Sequence, residues 1–555
     1  MVQTLAHRLS PFDLALVAVY LVAITIFGLR FAKRGKQGGS LKSYFLADNT
    51  IPWWAIALSI VSAETSTLTI VSIPGVAFAG NMGFLQVVIG YMIGRIVVAM
   101  LFLPRYFRGE MLTAYQLIER RFGNVLYKVT AGLFLLTRAA AEGVRVFAIS
   151  IVVSIAIGTG DTLSIAIISA LTLLYTFEGG MAAVIWTDVV QMGLYVAGTL
   201  VALYTLGAQV PGNWAHIYQV AAPLGKLHVL NFAFNLTQTY TFWAGVLGGT
   251  FLTMASHGTD QLMVQRMLAA RNLRESRLAL LGSGVVIFFQ FTLFLLIGIG
   301  LFVFYGMHPQ VFSTSDRIFP TFIVQQMPHG VAGLLIAAIL AAAMSNLSAA
   351  LNSLASTTVI DFYIPIKTLM HHKNSVILSE QSESKDPEAA GTGETARSFQ
   401  PSNAFVSRAA TIFWALVLFA IAVYSIQAGG KGHVVETGLS IASVAYGCLL
   451  GVFLLGTLTK YATQWGAIVG MICGFVLNVW LWKGNFPVHV ASVTIPQVAF
   501  TWFVLIGAAM TFAVGSIFSL VLPKPRRAIA ASLLTLSLFS LSFRSEAQEL
   551  SLIHI

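Results

Sequence analysis

The chain has 555 residues, of which 57% are hydrophobic and only 10% charged, with a mean hydropathy of +0.82. A soluble domain carries roughly 25% charged residues, so this chain cannot cover a water-facing surface and a soluble globular protein is excluded. The net charge of +11 invites a nucleic-acid reading, but the basic residues lie in alternate loops between apolar runs, which is the orientation signal of a membrane protein.

Apolar runs of roughly 18 or more residues recur along the chain, and each is long enough to cross a bilayer as a helix. They are continuous, which excludes a β-barrel of alternating segments of about 10 residues. They predict an all-α polytopic membrane protein with about thirteen transmembrane helices. In chain order these lie near 12–29, 51–78, 82–103, 127–157, 162–178, 184–207, 240–258, 279–305, 331–362, 407–427, 434–458, 462–482 and 497–522. Three connections are long and polar: 208–239, 306–330 and 366–406. The last is charged and rich in Ser and Gly, a composition too polar to bury a core. Cys448 and Cys473 both sit in apolar runs and form neither a disulfide framework nor a zinc motif.

Arg30, Lys33, Arg34, Lys36, Arg105, Arg108, Arg120 and Arg121 fall in loops of one side; Arg8, Lys226, Arg317, Lys431 and Lys483 fall on the other. With the remaining basic loops, this bias predicts an N-terminus outside and a cytoplasmic C-terminus, in a bacterial-type inner or plasma membrane. Residues 523–555 have a basic start and about 15 apolar residues, the pattern of a secretory signal. They read as a run-on from a neighbouring frame or an interfacial anchor, and no functional role is assigned to them.

Within the spans, the polar residues are the informative ones. "SIVSAETSTLTIVSIPG" (59–75) places Glu64 among Ser62, Thr65, Ser66, Thr67 and Thr69, ahead of Pro74. A charge at bilayer depth costs roughly 2.5–3.5 kcal/mol, so it faces a polar interior. Ser and Thr loosen the helical ladder and Pro removes a donor from it, so the segment predicts a broken helix lining a cavity. The competing reading is a Glu64 that only bonds between helices. "LLTRAAAEGVRVF" puts Arg138, Glu142 and Arg145 on one helix face, favouring an internal strut over an anion site. "EGGMAAVIWTDVVQ" carries Asp188 inside a span. In "AAILAAAMSNLSAALNSLASTTVIDFY" (337–363), small residues at three- and four-residue steps predict close helix packing. No H-E-x-x-H or G-x-S-x-G occurs, so hydrolysis has no visible machinery.

"IPWWAIALSIVSAETS", "GGMAAVIWTDVVQ", "GTDQLMVQRMLAARNLRES" and the 337–363 stretch together resemble the sodium/solute symporter family over roughly residues 10–520. That family includes sodium-coupled transporters of sugars, proline, sialic acid, pantothenate, iodide and monocarboxylates. The resemblance implies two inverted five-helix repeats of the leucine-transporter type, here 51–207 and 240–458. Residues 1–50 and 459–522 are then additions, and 208–239 an outer loop. It further implies sodium binding by the backbone carbonyls of Ser62, Thr65 and Ala342 and the side chains of Ser345 and Asn346, where Asn346 departs from the usual Ser or Thr. A second ion would involve Asp188 and Ser348, but Ala349 stands where a serine is expected. Position in the framework points to Glu64, Ser66, Thr69, Gln86, Arg145, Thr253, Ser256 and His257 for the solute, with Arg138 or Arg145 able to hold a carboxylate.

The expected function is sodium-coupled symport of a small sugar, amino acid or organic acid by alternating access, with no enzymatic activity. Sodium is the coupling ion, no cofactor is needed, and the partners are solute, sodium and the lipid bilayer, not nucleic acid. One charge crossing about 100 mV gains roughly 2.3 kcal/mol, which supports accumulation on the order of 50-fold. The alternatives are a proton-coupled carrier using Glu64 or Asp188, and a solute sensor that does not transport.

Overall fold

The apolar runs fold as helices in a computed structural model that describes residues 9–37, 46–108, 111, 114–175, 181–367, 401–427, 434–484, 487–490 and 493–521. Most of the expected polar loop (368–400) and the whole signal-like tail (523–555) lie outside the described residues. The long helices are α1 (Pro11–Gln37), α2 (Trp53–Glu64), α3 (Thr67–Ala79), α4 (Leu85–Leu101), α5 (Asn124–Ile157), α6 (Asp161–Tyr175) and α7 (Met181–Gln209). There follow α8 (Phe242–Gly258), α9 (Gln261–Leu268), α10 (Leu273–Met307), α11 (Val331–Thr357), α12 (Pro401–Gln427), α13 (Val434–Leu458), α14 (Gln464–Lys483) and α15 (Phe503–Val521).

Among the described residues, 10 helices are long and apolar enough to cross a membrane, or 11 if the bent pair α2–α3 counts as one span. The two other expected spans correspond to α6 and α8, which are shorter, at 15 and 17 residues. Among the described residues, a short hairpin departs from the all-helical expectation. Val488–Val490 and Val493–Ile495 pair as an antiparallel hairpin before the last span, where β-branched residues crowd a stretch too short for a helix.

Helix ends follow local chemistry. The Thr241 hydroxyl accepts from the Ala244 N–H at the start of α8, and the Asn272 side chain accepts from the Glu275 N–H at the start of α10. Both are N-caps that satisfy otherwise unpaired donors. Asp260 caps α9 by accepting from the Leu262 N–H at 2.9 Å. Thr259 and Asp260 thus interrupt α8–α9 as Thr65 and Ser66 interrupt α2–α3.

Two helices cross unusually closely because both carry glycines four apart. Gly90 on α4 faces Gly245 and Gly249 on α8, and Gly94, one turn on, faces Thr250 and Thr253, the small-residue pattern of tight membrane packing. A Cβ on Gly90 would lie 2.6 Å from the carbonyl oxygens of Gly245 and Val246, so no side chain fits. The Thr250 hydroxyl adds a bond to the Gly90 carbonyl at 3.2 Å. α10 packs along α2, α3, α4 and α7, while α11 packs against α1, α5 and α7 and touches both α2 and α3. The break between α2 and α3 therefore sits in the middle of the bundle.

Candidate functional site

The break is an inverse γ-turn. The Thr65 N–H makes the last rung of α2, to the Val61 carbonyl at 2.7 Å. Thr65 then leaves helical geometry at φ −76°, ψ 66°. The Ser66 N–H turns back to the Glu64 carbonyl at 2.8 Å, the three-residue bond of that turn. Ser66 is extended at φ −70°, ψ 169°, and its carbonyl starts α3 by accepting from Thr69 and Ile70. The two halves meet at 64°. Because Ser66 donates to Glu64, the Ser62 carbonyl loses its ordinary partner four residues on. Pro74 lies inside α3 rather than at the break, so the Ser/Thr run rather than the proline marks the interruption.

Beside the break is a cavity of about 140 Å³, room for on the order of ten water-sized groups. Glu64, Ser66 and Thr69 line it from the broken helix, Arg145 from α5, and Thr253, Ser256 and His257 from α8. These are all the expected solute residues except Gln86. The Gln86 side chain instead donates to the Gly83 and Tyr240 carbonyls and accepts from the Asn231 N–H. Its amide is consumed in tying the connection before α8 to the start of α4, and it does not line the cavity.

Two charged clusters face this space. In the first, Glu64 is ion-paired with Arg95 and lies 3.6 Å from His257 Nε2. Arg95 is fully buried and also donates to the Tyr91 carbonyl and the Ser283 hydroxyl. In the second, Glu142 bridges Arg138 at 2.8 Å and Arg145 at 2.7 Å, the strut anticipated from their spacing. Asp260 extends it, pairing with Arg138 at 3.2 Å and accepting from the Tyr446 hydroxyl at 2.8 Å. Arg138 is buried, whereas the Arg145 side chain is 27% exposed and so is the guanidinium of this cluster most open to a solute. Phe84 and Phe291 stack in parallel at 5.4 Å and form an apolar wall of the same cavity. Sequence reading did not pair Glu64 with Arg95 or bring Asp260 and Tyr446 to the strut; a charged residue within a span was the signal for Arg95.

Ser62 and Thr65 are fully buried at the break, and Ala342, Ser345 and Asn346 are buried on α11. The Ser62 hydroxyl has no hydrogen-bond partner, and with the released Ser62 carbonyl it leaves oxygen donors of the kind a small hard cation takes. Asp188 on α7 is engaged elsewhere. It accepts from the Ser59 hydroxyl at 2.6 Å and pairs with Arg266 at 3.2 Å, while Arg266 Nε donates to Ser59 at 3.0 Å. Ser348 is buried on α11.

The family model described as the sodium:solute symporter family matches residues 44–380. The sodium-dependent multivitamin transporter of Oryctolagus cuniculus is 25% identical over 88% of this chain and 73% of its own length. The sodium/sialic acid symporter of Proteus mirabilis is 26% identical over 85% of this chain and 89% of its own. Among solved structures, an outward-open, substrate-bound sodium-coupled sialic acid symporter superposes with a TM-score of 0.75 at 24% identity, covering 93% of this chain and 99% of that one. The inward-facing conformation of Mhp1 superposes at 0.51 with 12% identity, covering 86% and 93%. At these identities the structural likeness is one of fold.

Proposed function

The chain belongs to the sodium:solute symporter family, and we propose that it couples sodium to the movement of a small organic acid through the cavity beside the break. It is a multi-pass membrane protein with the leucine-transporter type of fold, a secondary active transporter that performs sodium-coupled symport of a small organic solute by alternating access.

In the proposed arrangement, sodium is held between the break and α11 by the Ser62, Thr65 and Ala342 carbonyls with Ser345 and Asn346. The Ser62 hydroxyl without a partner supports that assignment. The solute occupies the cavity bounded by Glu64, Ser66, Thr69, Thr253, Ser256 and His257. Arg145 is its carboxylate anchor, because a guanidinium binds a carboxylate through two parallel bonds. The single observation that carries this reading is the convergence of the broken helix, α5 and α8 on one cavity with a partly exposed arginine. The paired interruptions at Thr65–Ser66 and Thr259–Asp260 support an inverted repeat over 51–207 and 240–458. The distribution of basic loops supports an N-terminus outside.

The test is a thermal-shift screen of the purified protein over sugars, amino acids and organic acids, in sodium and in potassium. A ligand that binds the native state raises its stability by mass action. An organic acid should shift the midpoint more in sodium, and Arg145→Ala should abolish that shift while leaving the shift by sodium alone. A shift by a sugar, or one indifferent to sodium, would replace the acid or the coupling ion respectively.

A further inference from the structure

α10 reaches the break with two side chains seven residues apart, and therefore on one helix face. Ser283 accepts from Arg95, the ion-pair partner of Glu64. Gln290 accepts the Thr65 hydroxyl on its Oε1 at 2.9 Å. Glu64 and Thr65 are consecutive residues at the end of α2, so one face of α10 steadies both. Gln290 is 4% exposed, and its Nε2 is buried without a hydrogen-bond partner. Buried amides ordinarily use both ends. This one bonds through its oxygen alone, and that bond ends on the central residue of the γ-turn. The next residue, Phe291, lines the solute cavity and stacks on Phe84.

We propose that Gln290 is a positioning residue for the coupling ion. By holding the Thr65 side chain it sets the torsion of the γ-turn, and that torsion decides where the Ser62 and Thr65 carbonyls point. With Phe291 beside it, α10 carries one residue on the ion side of the break and one on the solute side. This assignment rests on the reading of Ser62 and Thr65 as sodium ligands. Gln290 itself touches neither ion nor solute, so its loss should weaken the response to sodium rather than remove a ligand.

The experiment uses purified full-length protein with sodium as the only probe. The thermal midpoint is followed as NaCl replaces KCl at constant ionic strength. Gln290→Met keeps the volume and removes the acceptor. It should raise the sodium concentration for half-maximal stabilisation about tenfold, the order of one hydrogen bond. Gln290→Glu keeps an acceptor for Thr65 and brings negative charge near the cation, so its half-maximal concentration should equal the wild-type value or fall below it. Thr65→Val cuts the same bond from the other end and should match Gln290→Met, and the double variant should be no weaker than either. If Gln290→Met does not fold, Thr65→Val and Gln290→Glu carry the comparison. A Gln290→Met protein with a lower midpoint but an unchanged sodium requirement, or additive losses in the double variant, would overturn the proposal and leave the ion site standing. A wild type that ignores sodium would overturn the ion site and the proposal together.

Discussion

Arg95 is a fully buried cation whose carboxylate partner faces the cavity beside the break. Removing one member of a buried pair costs more than the pair contributes, because the other charge is left uncompensated, about 3–5 kcal/mol in general. Glu64 keeps 15% of its side chain exposed, so the low end of that range is expected for Arg95→Met, about 3 kcal/mol. Adding Glu64→Gln removes the stranded charge and should recover more than half of the loss. Thermal unfolding of the two single variants and the double variant in detergent measures this directly. Equal losses in Arg95→Met and in the double variant would mean that Arg95 acts by packing alone. The cavity-lining role of Glu64 was legible because an acid inside an apolar span has few other places to face. Its partner was not, since 31 residues separate them and it is α10, packed against both α2 and α4, that brings them together. The same holds for Thr65 and Gln290, 225 residues apart. Gln86 went the other way: its position in the framework marked a solute contact, yet two carbonyls and an N–H take up its amide.

At the scale of elements, the wall of the cavity depends on how closely α4 and α8 cross. Tyr91 on α4 and Thr253, Ser256 and His257 on α8 all line the cavity. Gly94 is pressed against Thr253, whose Cβ would be 2.7 Å from an added Cβ. A methyl group at Gly90 cannot be absorbed by a flexible neighbour, because backbone carbonyl oxygens are what it meets. Gly90→Ala should therefore destabilise by about 1–3 kcal/mol and move the α8 residues away from the broken helix, lowering solute affinity as well as the thermal midpoint. A Gly90→Ala protein with wild-type midpoint and wild-type solute binding would show that the helices can separate without consequence. Most helices were legible from the length and continuity of their apolar runs, and the break from its Ser and Thr. The place of the break was less so. Pro74, read with the Ser and Thr as a mark of the break, instead continues α3, because a proline in a packed membrane helix is tolerated when neighbours satisfy the backbone.

At the scale of the whole molecule, the charge carried per cycle follows from what the cavity holds. Its surroundings balance: Arg95, Arg138 and Arg145 stand against Glu64, Glu142 and Asp260. The protein therefore brings no net formal charge from this group to offset that of the cargo. One sodium with a monovalent organic anion moves no net charge, so the membrane potential contributes nothing and a tenfold sodium gradient, about 1.4 kcal/mol, sets the accumulation. A second sodium would restore a voltage contribution of roughly 2.3 kcal/mol per 100 mV. Asp188, the carboxylate such an ion would need, is already engaged by Arg266 and Ser59. Two cations competing for one buried carboxylate repel each other, which favours the single-ion cycle. Proteoliposomes loaded with potassium, with a fixed inward sodium gradient, separate the cases. Valinomycin makes the interior negative, and uptake of the proposed organic acid should then change by less than about twofold, where a moved charge would give about tenfold per 60 mV. Strong stimulation would show that a second ion enters with the acid, and would require Arg266 to release Asp188 during the cycle.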